Sequence, residues 1–291
     1  MSGPLLAVDA PYVLFRSFYA LPDTITGADG KPVNALLGAV NILLRIISEQ
    51  RPRAVVACFG PDAAPYRVEL YPAYHAARPE VPGPLAWQFE RAPGLFAAFG
   101  WTSEYDEQLE ADDLLGSLAD VEVQAGGDAL IMTGDRDMFQ CAGERVRVLL
   151  LKPGKVGYEL LGPAEVMRRY GVPPELVPDF IALRGDPSDG LPGAPGIGPK
   201  TAAELLSKYG SLEGAITGAL RGGERPRIVA ALTEHAEELR AFKEIATLRP
   251  VDIERPADRE TDLAGGAGAA RNLGLNRLAE RLEAADDVGD L

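Results

Sequence analysis

Four short apolar runs, each closed by a turn signal, punctuate the chain: LLAVDA from Leu5, AVVACF (Ala54–Phe59), ALIMTGD (Ala129–Asp135) and VRVLLL (Val146–Leu151). Each has the length of a buried β-strand. Between them, apolar residues recur at helical spacing. In Asn34–Gln50 they fall at Leu36, Leu37, Val40, Leu43, Leu44 and Ile47, one face of a helix. Leu85–Phe99, weakened by Pro93 and Gly94, and Glu110–Val123 are further helical windows. Strands alternating with helices predict an α/β fold with a mostly parallel sheet covered on both faces. Ligands bind such sheets beyond the carboxyl ends of the strands. Asp9 and Asp135 lie just past two of those ends, so they can meet although far apart in sequence.

After Gly162 the pattern turns helical: Pro163–Tyr170, Pro174–Arg184, Pro199–Tyr209 and Arg225–Leu248, with Gly171 and Gly210 placed as helix stops. The chain therefore divides into an α/β core over residues 1–162 and a helical region over 163–291. Residues 263–272, LAGGAGAARN, read as a low-complexity connector, and the final LEAADDVGDL as an acidic, solvated tail. Asp62–Pro84 has several prolines and no sustained face. It interleaves Tyr66, Tyr71 and Tyr74 with Arg67, His75 and Arg78. That mixture suits stacking on bases and gripping phosphates, and suits an irregular surface loop equally well.

Composition narrows the class. At 46% hydrophobic content the 291 residues can build a real core. The start, MSGPLLAVDA, has neither the basic region of a signal peptide nor the character of a transit peptide, and Asn41 and Arg45 interrupt the most apolar helical window. The two cysteines, Cys58 and Cys141, fit no disulfide or metal spacing. These features predict a reduced, cytoplasmic protein with no membrane span. The net charge of −14 weighs against nucleic acid, but much of it is concentrated in a few knots and near the end of the chain. Arg16, Arg67, Arg78, Arg184, Lys200 and Lys208 remain as local cations.

The knots are Asp9; Glu110, Asp112 and Asp113 in LEADDLL; Asp135 and Asp137 in TGDRDMF; and Asp186 and Asp189 in RGDPSDGLPG. Any one of them is explained as well by helix capping as by metal. Four together favour a divalent metal, which offsets the repulsion of gathered acids. The turn GAPGIGPKTA follows the last knot. Gly196 and Gly198 allow close backbone approach, Pro199 suits a first helical position, and Lys200 adds charge. That is a phosphate-binding nest of the helix-hairpin-helix kind, without the spacing of a nucleotide P-loop. Metal beside phosphate points to cleavage of a phosphodiester.

From LLAVDAPYVLFRSFYAL through EADDLLGSLA and TGDRDMFQC to GDPSDGLPGAPGIGPKTAAELL, the chain resembles the bacterial 5′→3′ exonucleases of the flap-endonuclease family. It is similar to the N-terminal nuclease domain of family A DNA polymerases, here in a free-standing form. The resemblance implies a PIN-like core, a helical arch around residues 74–95 and a helix-three-turn-helix element around 180–210. It implies cleavage of 5′ flaps and 5′ ends of branched or nicked duplex DNA, RNA–DNA hybrids included, in replication and repair, by a monomer. Two Mg²⁺ or Mn²⁺ ions would sit about 3.5–4 Å apart. Glu110, Asp112, Asp113 and Asp135 would hold one, Asp137, Asp186 and Asp189 the other, with Asp9 bridging. Arg67 and His75 would steer the scissile phosphate beside the catalytic Asp135. Arg16, Arg67, Tyr74, Arg78 and Lys200, with the amides of Gly196 and Gly198, would contact DNA, and K⁺ would sit at the glycine turn. A PIN-type ribonuclease and a catalytically weakened branched-DNA-binding protein are the alternatives.

Two departures stand out. The family's aspartate after the second strand is replaced by Gly60 in FGPDAAPYR, with Asp62 two residues later; either Asp62 reaches inward or that acid is lost. The family's lysine after the arch tyrosine is His75.

Overall fold

The computed structural model describes residues 3–152 and 157–288. At its centre, among these residues, a six-stranded sheet runs in the order β3-β2-β1-β4-β5-β6. The strands are β1 (Leu5–Asp9), β2 (Ala54–Phe59), β3 (Thr102–Tyr105), β4 (Ala129–Thr133), β5 (Val146–Leu151) and β6 (Tyr158–Leu161). The first five are parallel and β6 pairs antiparallel with β5. Every residue of β1, β2 and β4 is buried, as apolar runs covered on both faces should be. The register sets Leu5 beside both Ala54 and Ala129. The three central strands therefore end together, and the residues after them share one rim.

The helices are α1 (Ala10–Ala20), α2 (Asn34–Gln50), α3 (Pro65–Leu70), α4 (Gly83–Phe89), α5 (Ala92–Ala98), α6 (Ala111–Gln124), α7 (Pro163–Tyr170), α8 (Val177–Arg184), α9 (Pro199–Tyr209), α10 (Leu212–Leu220), α11 (Pro226–Glu234), α12 (Ala236–Ala246), α13 (Leu263–Asn272) and α14 (Asn276–Val288). Helices α2, α7 and α9 have the bounds that periodicity predicts. The window Leu85–Phe99 splits into α4 and α5, and Arg225–Leu248 breaks at His235 into α11 and α12. Between α8 and α9, Gly185, Gly190, Gly193 and Gly196 all take positive φ, which lets this span turn tightly. The Asp62–Pro84 segment is a surface loop only in part, exposed over residues 76–81. It contains α3, and Tyr74 and His75 are only 5% and 8% exposed. Past them, Gln88 of α4 is fully buried and caps α2, its Oε1 accepting from Ala35 N at 2.8 Å and Leu36 N at 3.2 Å.

Residues 263–272 are not a connector but helix α13. Asp262 caps it, accepting from Gly265 N at 2.7 Å. Its glycines serve close packing: a Cβ on Gly266 would stand 2.2 Å from the Phe99 ring, and one on Gly265 2.4 Å from the Ala98 carbonyl oxygen. The expected tail is likewise helical as far as Val288, with Leu282 buried, and residues 289–291 lie outside the described residues. Both helices pack back onto the face of the sheet that carries α1 and α2, where Leu263, Ala267, Ala270, Leu278 and Leu282 join Phe96, Phe99 and Trp101. Each of the two hydrophobic cores, one on either face of the sheet, thus draws residues from both sides of residue 162. Gly266→Ala should lower stability by about 1–3 kcal/mol despite alanine's better helix propensity, because the added methyl meets an aromatic ring. Denaturant melts of the two proteins check this, and a stabilised variant would contradict the docking.

Candidate active site

Asp9 ends β1 and caps α1. Its Oδ1 accepts from Tyr12 N at 2.9 Å and its Oδ2 from Thr133 Oγ1 at 2.7 Å. After β4 the chain bends through Gly134, where a Cβ would strike the Tyr12 ring at 2.0 Å. Asp135 N donates to Thr133 Oγ1 at 2.9 Å, and Asp135 Oδ1 accepts from Asp137 N at 2.8 Å. Glu110 caps α6 and places Asp112 in its first turn. Asp186 and Asp189 arrive from the turn between α8 and α9. Together these seven acids line one cavity of about 1170 Å³ at the carboxyl ends of the central strands.

With the buried Asp113 behind them, the acids fall into two groups. Glu110, Asp113, Asp186 and Asp189 are paired with arginine or histidine side chains. Arg67 pairs through Nη1 with Glu110 Oε2 at 2.9 Å and through Nη2 with Asp113 Oδ1 at 3.0 Å. Glu110 also accepts from Ala64 N at 2.7 Å and from the Tyr74 hydroxyl at 3.0 Å. Asp186 accepts from Arg184 Nη2 and Ser188 N, both at 2.9 Å. Asp189 Oδ1 lies 3.1 Å from both His75 Nε2 and Arg78 Nη2. The second group, Asp9, Asp112, Asp135 and Asp137, is bare of any cationic partner among the described residues, although Asp9 and Asp135 accept hydrogen bonds. Burial lifts all four above the ordinary carboxylate range. Neighbouring negative charge adds to it: Asp135 acts on Asp112 and Asp137, and Asp189 on Asp135. Asp135 is pushed up to about 7, while the hydrogen bonds from Tyr12 and Thr133 hold Asp9 back.

Several expected site residues take other positions. Asp113 is fully buried, does not line the cavity and is spent on Arg67, the Glu110 amide at 3.1 Å and the Arg249 amide at 2.8 Å. Arg67 is 3% exposed. With its Nε donating to the Ile245 carbonyl at 3.0 Å, every nitrogen of its guanidinium is bonded within the protein, although the residue borders the cavity. His75 is also committed, since its Nδ1 contacts the Asp62 carbonyl oxygen and its ring stacks on Tyr74 at 3.8 Å. Arg16 donates to the Lys152 carbonyl and the Tyr12 hydroxyl, outside the cavity lining. Gly196, Gly198 and Lys200, expected to contact DNA away from the cut, do not line the cavity, although Pro199 beside them borders it. Sequence reasoning missed Thr133, Arg136 and Arg249. Arg136, flanked by two acids in GDRDMF, carried a positional signal; Thr133 and Arg249 carried none.

Asp62 borders the same cavity, but its Oδ1 pairs with Arg78 Nη1 at 3.2 Å and its side chain is 59% exposed. Gly60 has a steric reason: a Cβ there would meet the Leu109 carbonyl oxygen at 2.6 Å and the Ala111 amide nitrogen at 2.9 Å. We expect Gly60→Asp to destabilise by about 1–3 kcal/mol without adding a metal ligand. Thermal melts with and without Mg²⁺ test this, and tighter metal binding at unchanged stability would refute it.

Among the described residues, no three His, Cys, Asp or Glu side chains are drawn together tightly enough to enclose an ion as they stand. The chemistry nonetheless fits a hard cation. The donors are oxygens, and four of them repel one another without a counter-ion. Mg²⁺ keeps several waters and needs only one or two direct carboxylates. No helix among the described residues is long and apolar enough to cross a membrane.

Comparison with known proteins agrees with this architecture. Residues 4–171 match the 5′-3′ exonuclease N-terminal, resolvase-like domain, and residues 172–262 the 5′-3′ exonuclease C-terminal SAM fold. A 5′-3′ exonuclease of Mycobacterium tuberculosis is 36% identical over 99% of both chains. DNA polymerase I of Mycobacterium bovis is 37% identical over 73% of this chain but only 24% of its own length. A flap endonuclease of bacteriophage T5, solved as a pseudo-enzyme–product complex with DNA and metal ions, has a TM-score of 0.68 at 16% identity, covering 96% of this chain and 97% of its own. An acid-lined cavity at the strand ends, the paired exonuclease domains and a full-length relative lead to one conclusion: the chain belongs to the 5′-3′ exonuclease family and is a nuclease.

Proposed function

We propose that this nuclease depends on divalent metal, Mg²⁺ or Mn²⁺, and cuts 5′ flaps and 5′ ends of branched or nicked duplex DNA in replication and repair. The observation that carries the reading is the second group of acids: Asp9, Asp112, Asp135 and Asp137, gathered in one cavity with pKa values raised. These four would hold the metal, with the engaged acids tuning the field around them. When bound, the metal would acidify a coordinated water and offset charge on the phosphate being transferred. Thr133 fixes the orientation of Asp9, and the Asp137 amide fixes that of Asp135. Arg67 holds the α6 cap in place. Arg78 and His75 bracket Asp189, so their place is beside the acids and not inside them.

The glycine turn would anchor duplex DNA away from the cut. Lys200 is 91% exposed on its side chain, and the Arg227 guanidinium lies 2.4 Å from where a Cβ on Gly196 would stand. A K⁺ ion at this turn would lie close to that positive charge. We therefore assign the anchoring to Lys200 and Arg227, with K⁺ a variable of the binding buffer. A cytoplasmic monomer that also accepts RNA–DNA hybrids completes the reading.

The test is a panel of 5′-labelled substrates in Mg²⁺, Mn²⁺ or EDTA: flap DNA, blunt duplex, an RNA–DNA hybrid and single-stranded RNA. Flap cleavage in either metal and none in EDTA is expected. Preference for single-stranded RNA would instead favour a ribonuclease, and binding without turnover a weakened DNA-binding protein.

A further inference from the structure

Five cationic or imidazole side chains line the cavity: Arg67, His75, Arg78, Arg136 and Arg184. Four of them are committed within the protein. Arg67 is held by Glu110, Asp113 and the Ile245 carbonyl. His75 and Arg78 share Asp62 and Asp189. Arg184 binds Asp186 and the Gly185 carbonyl, both at 2.9 Å. To reach a ligand, any of these must give up a contact inside the site.

Arg136 differs. It is exposed, and among the described residues its guanidinium makes no hydrogen bond or ion pair. Its backbone is nevertheless well fixed. Gly134 packs against Tyr12, the Asp135 and Asp137 amides are both bonded within the turn, and Arg136 opens the 3₁₀ turn Asp137–Cys141. A rigid turn thus presents one uncommitted guanidinium at the cavity wall, between two of the bare acids. Such a side chain is not spent on the fold, and its planar fork matches phosphate oxygens.

We propose that Arg136 binds a backbone phosphate of the nucleic-acid strand in the cavity, and so positions the strand over Asp135 and Asp137. This rests on the reading of the cavity as a DNA site. Its energetic logic is that the acids by themselves repel a polyanion, so a cation placed between them gives the strand a point of attachment on that wall.

The experiment measures affinity for a fluorescein-labelled 5′-flap duplex in EDTA as KCl is varied. Wild type, Arg136→Gln and Arg136→Lys are compared, each with its melting temperature as a check on folding. Loss of one phosphate contact should make the slope of log K against log[salt] shallower by about 0.7–0.9. From about 50 to 200 mM salt, wild type should then lose about threefold more affinity than Arg136→Gln. Arg136→Lys should restore most of the slope. In Mg²⁺, Arg136→Gln should raise KM more than it lowers kcat. An Arg136→Gln protein that melts like wild type and keeps its slope overturns the proposal. So does a variant that changes only Mg²⁺ affinity, since Arg136 would then merely tune the acids. If wild type itself fails to bind the flap duplex, the functional reading falls first, which separates the two failures.

Discussion

Asp135→Asn should abolish flap cleavage while making the metal-free protein more stable. The substitution keeps a side-chain oxygen for the Asp137 amide, so the turn after β4 survives. What it removes is a charge that the cavity resists. Even the loss of an outer partner of a metal site costs about 10–100-fold, so loss of a direct ligand should lower kcat by at least about a hundredfold. Asp135 stands at about 7 in the fold, through burial first and the charge of Asp189 second. An unfolded aspartate titrates near 3.9. A group whose folded pKa is raised this way destabilises the fold as it ionises. Metal-free wild type should therefore lose stability between about pH 4 and pH 7, with the deficit fully present above that window. At pH 8 the Asn variant should gain on the order of 1 kcal/mol, or about 2–4 °C in melting temperature. Mg²⁺ affinity of wild type should rise through the same window, because binding needs ionised carboxylates. Melting curves in EDTA and Mg²⁺ at several pH values measure both effects. Wild-type turnover by the variant, or an unchanged melting temperature in EDTA at pH 8, would show that Asp135 is not a bare metal ligand.

Arg67→Met should unfold more readily than any other single variant considered. The guanidinium is the common partner of two buried acids and of the α12 backbone. Burial works against its charge, but Glu110 and Asp113 outweigh burial and hold it firmly ionised. Removing one partner of a buried pair leaves uncompensated charge and costs about 3–5 kcal/mol. At about 2–4 °C per kcal/mol, the melting temperature should fall by about 6–20 °C. The site would then fail because the start of α6 and the end of α12 come loose. A phosphate-steering arginine behaves differently: its loss lowers kcat and leaves the melting temperature alone. Differential scanning calorimetry beside single-turnover kinetics separates the two. Unchanged stability with lost turnover would return Arg67 to the substrate-facing role that the family resemblance implies.

What the chain's pattern made legible is what depends on neighbours in sequence. β1, β2 and β4 were readable because strands buried on both faces must be apolar throughout. β3, with the sequence TSEY, and β6, with YELL, are short edge strands with charged residues, so no apolar run marks them. Helix α13 was misread because its glycines answer to the Phe99 ring, a partner distant in sequence. The acids show the same division. Their presence in knots and their convergence at the strand ends followed from spacing and topology. Which of them would stay bare did not, because that depends on Arg67, Arg78, Arg184 and His75 arriving from other elements. Gly60 is similar: in sequence it is only a missing carboxylate, whereas in the fold it is the clearance that lets β2 end against the start of α6.

The central claim is that Asp9, Asp112, Asp135 and Asp137 form a divalent-metal centre. The most direct measurement is anomalous scattering from crystals grown with Mn²⁺ at pH 8, where these carboxylates are driven to ionise. The account predicts at least one strong Mn²⁺ peak in the cavity, with Asp135 and at least one other of these four as direct or water-bridged ligands and with the Arg67 pairs to Glu110 and Asp113 intact. A cavity without such a peak under saturating Mn²⁺, or Mn²⁺ held by Glu110 and Asp113 after displacing Arg67, would contradict it.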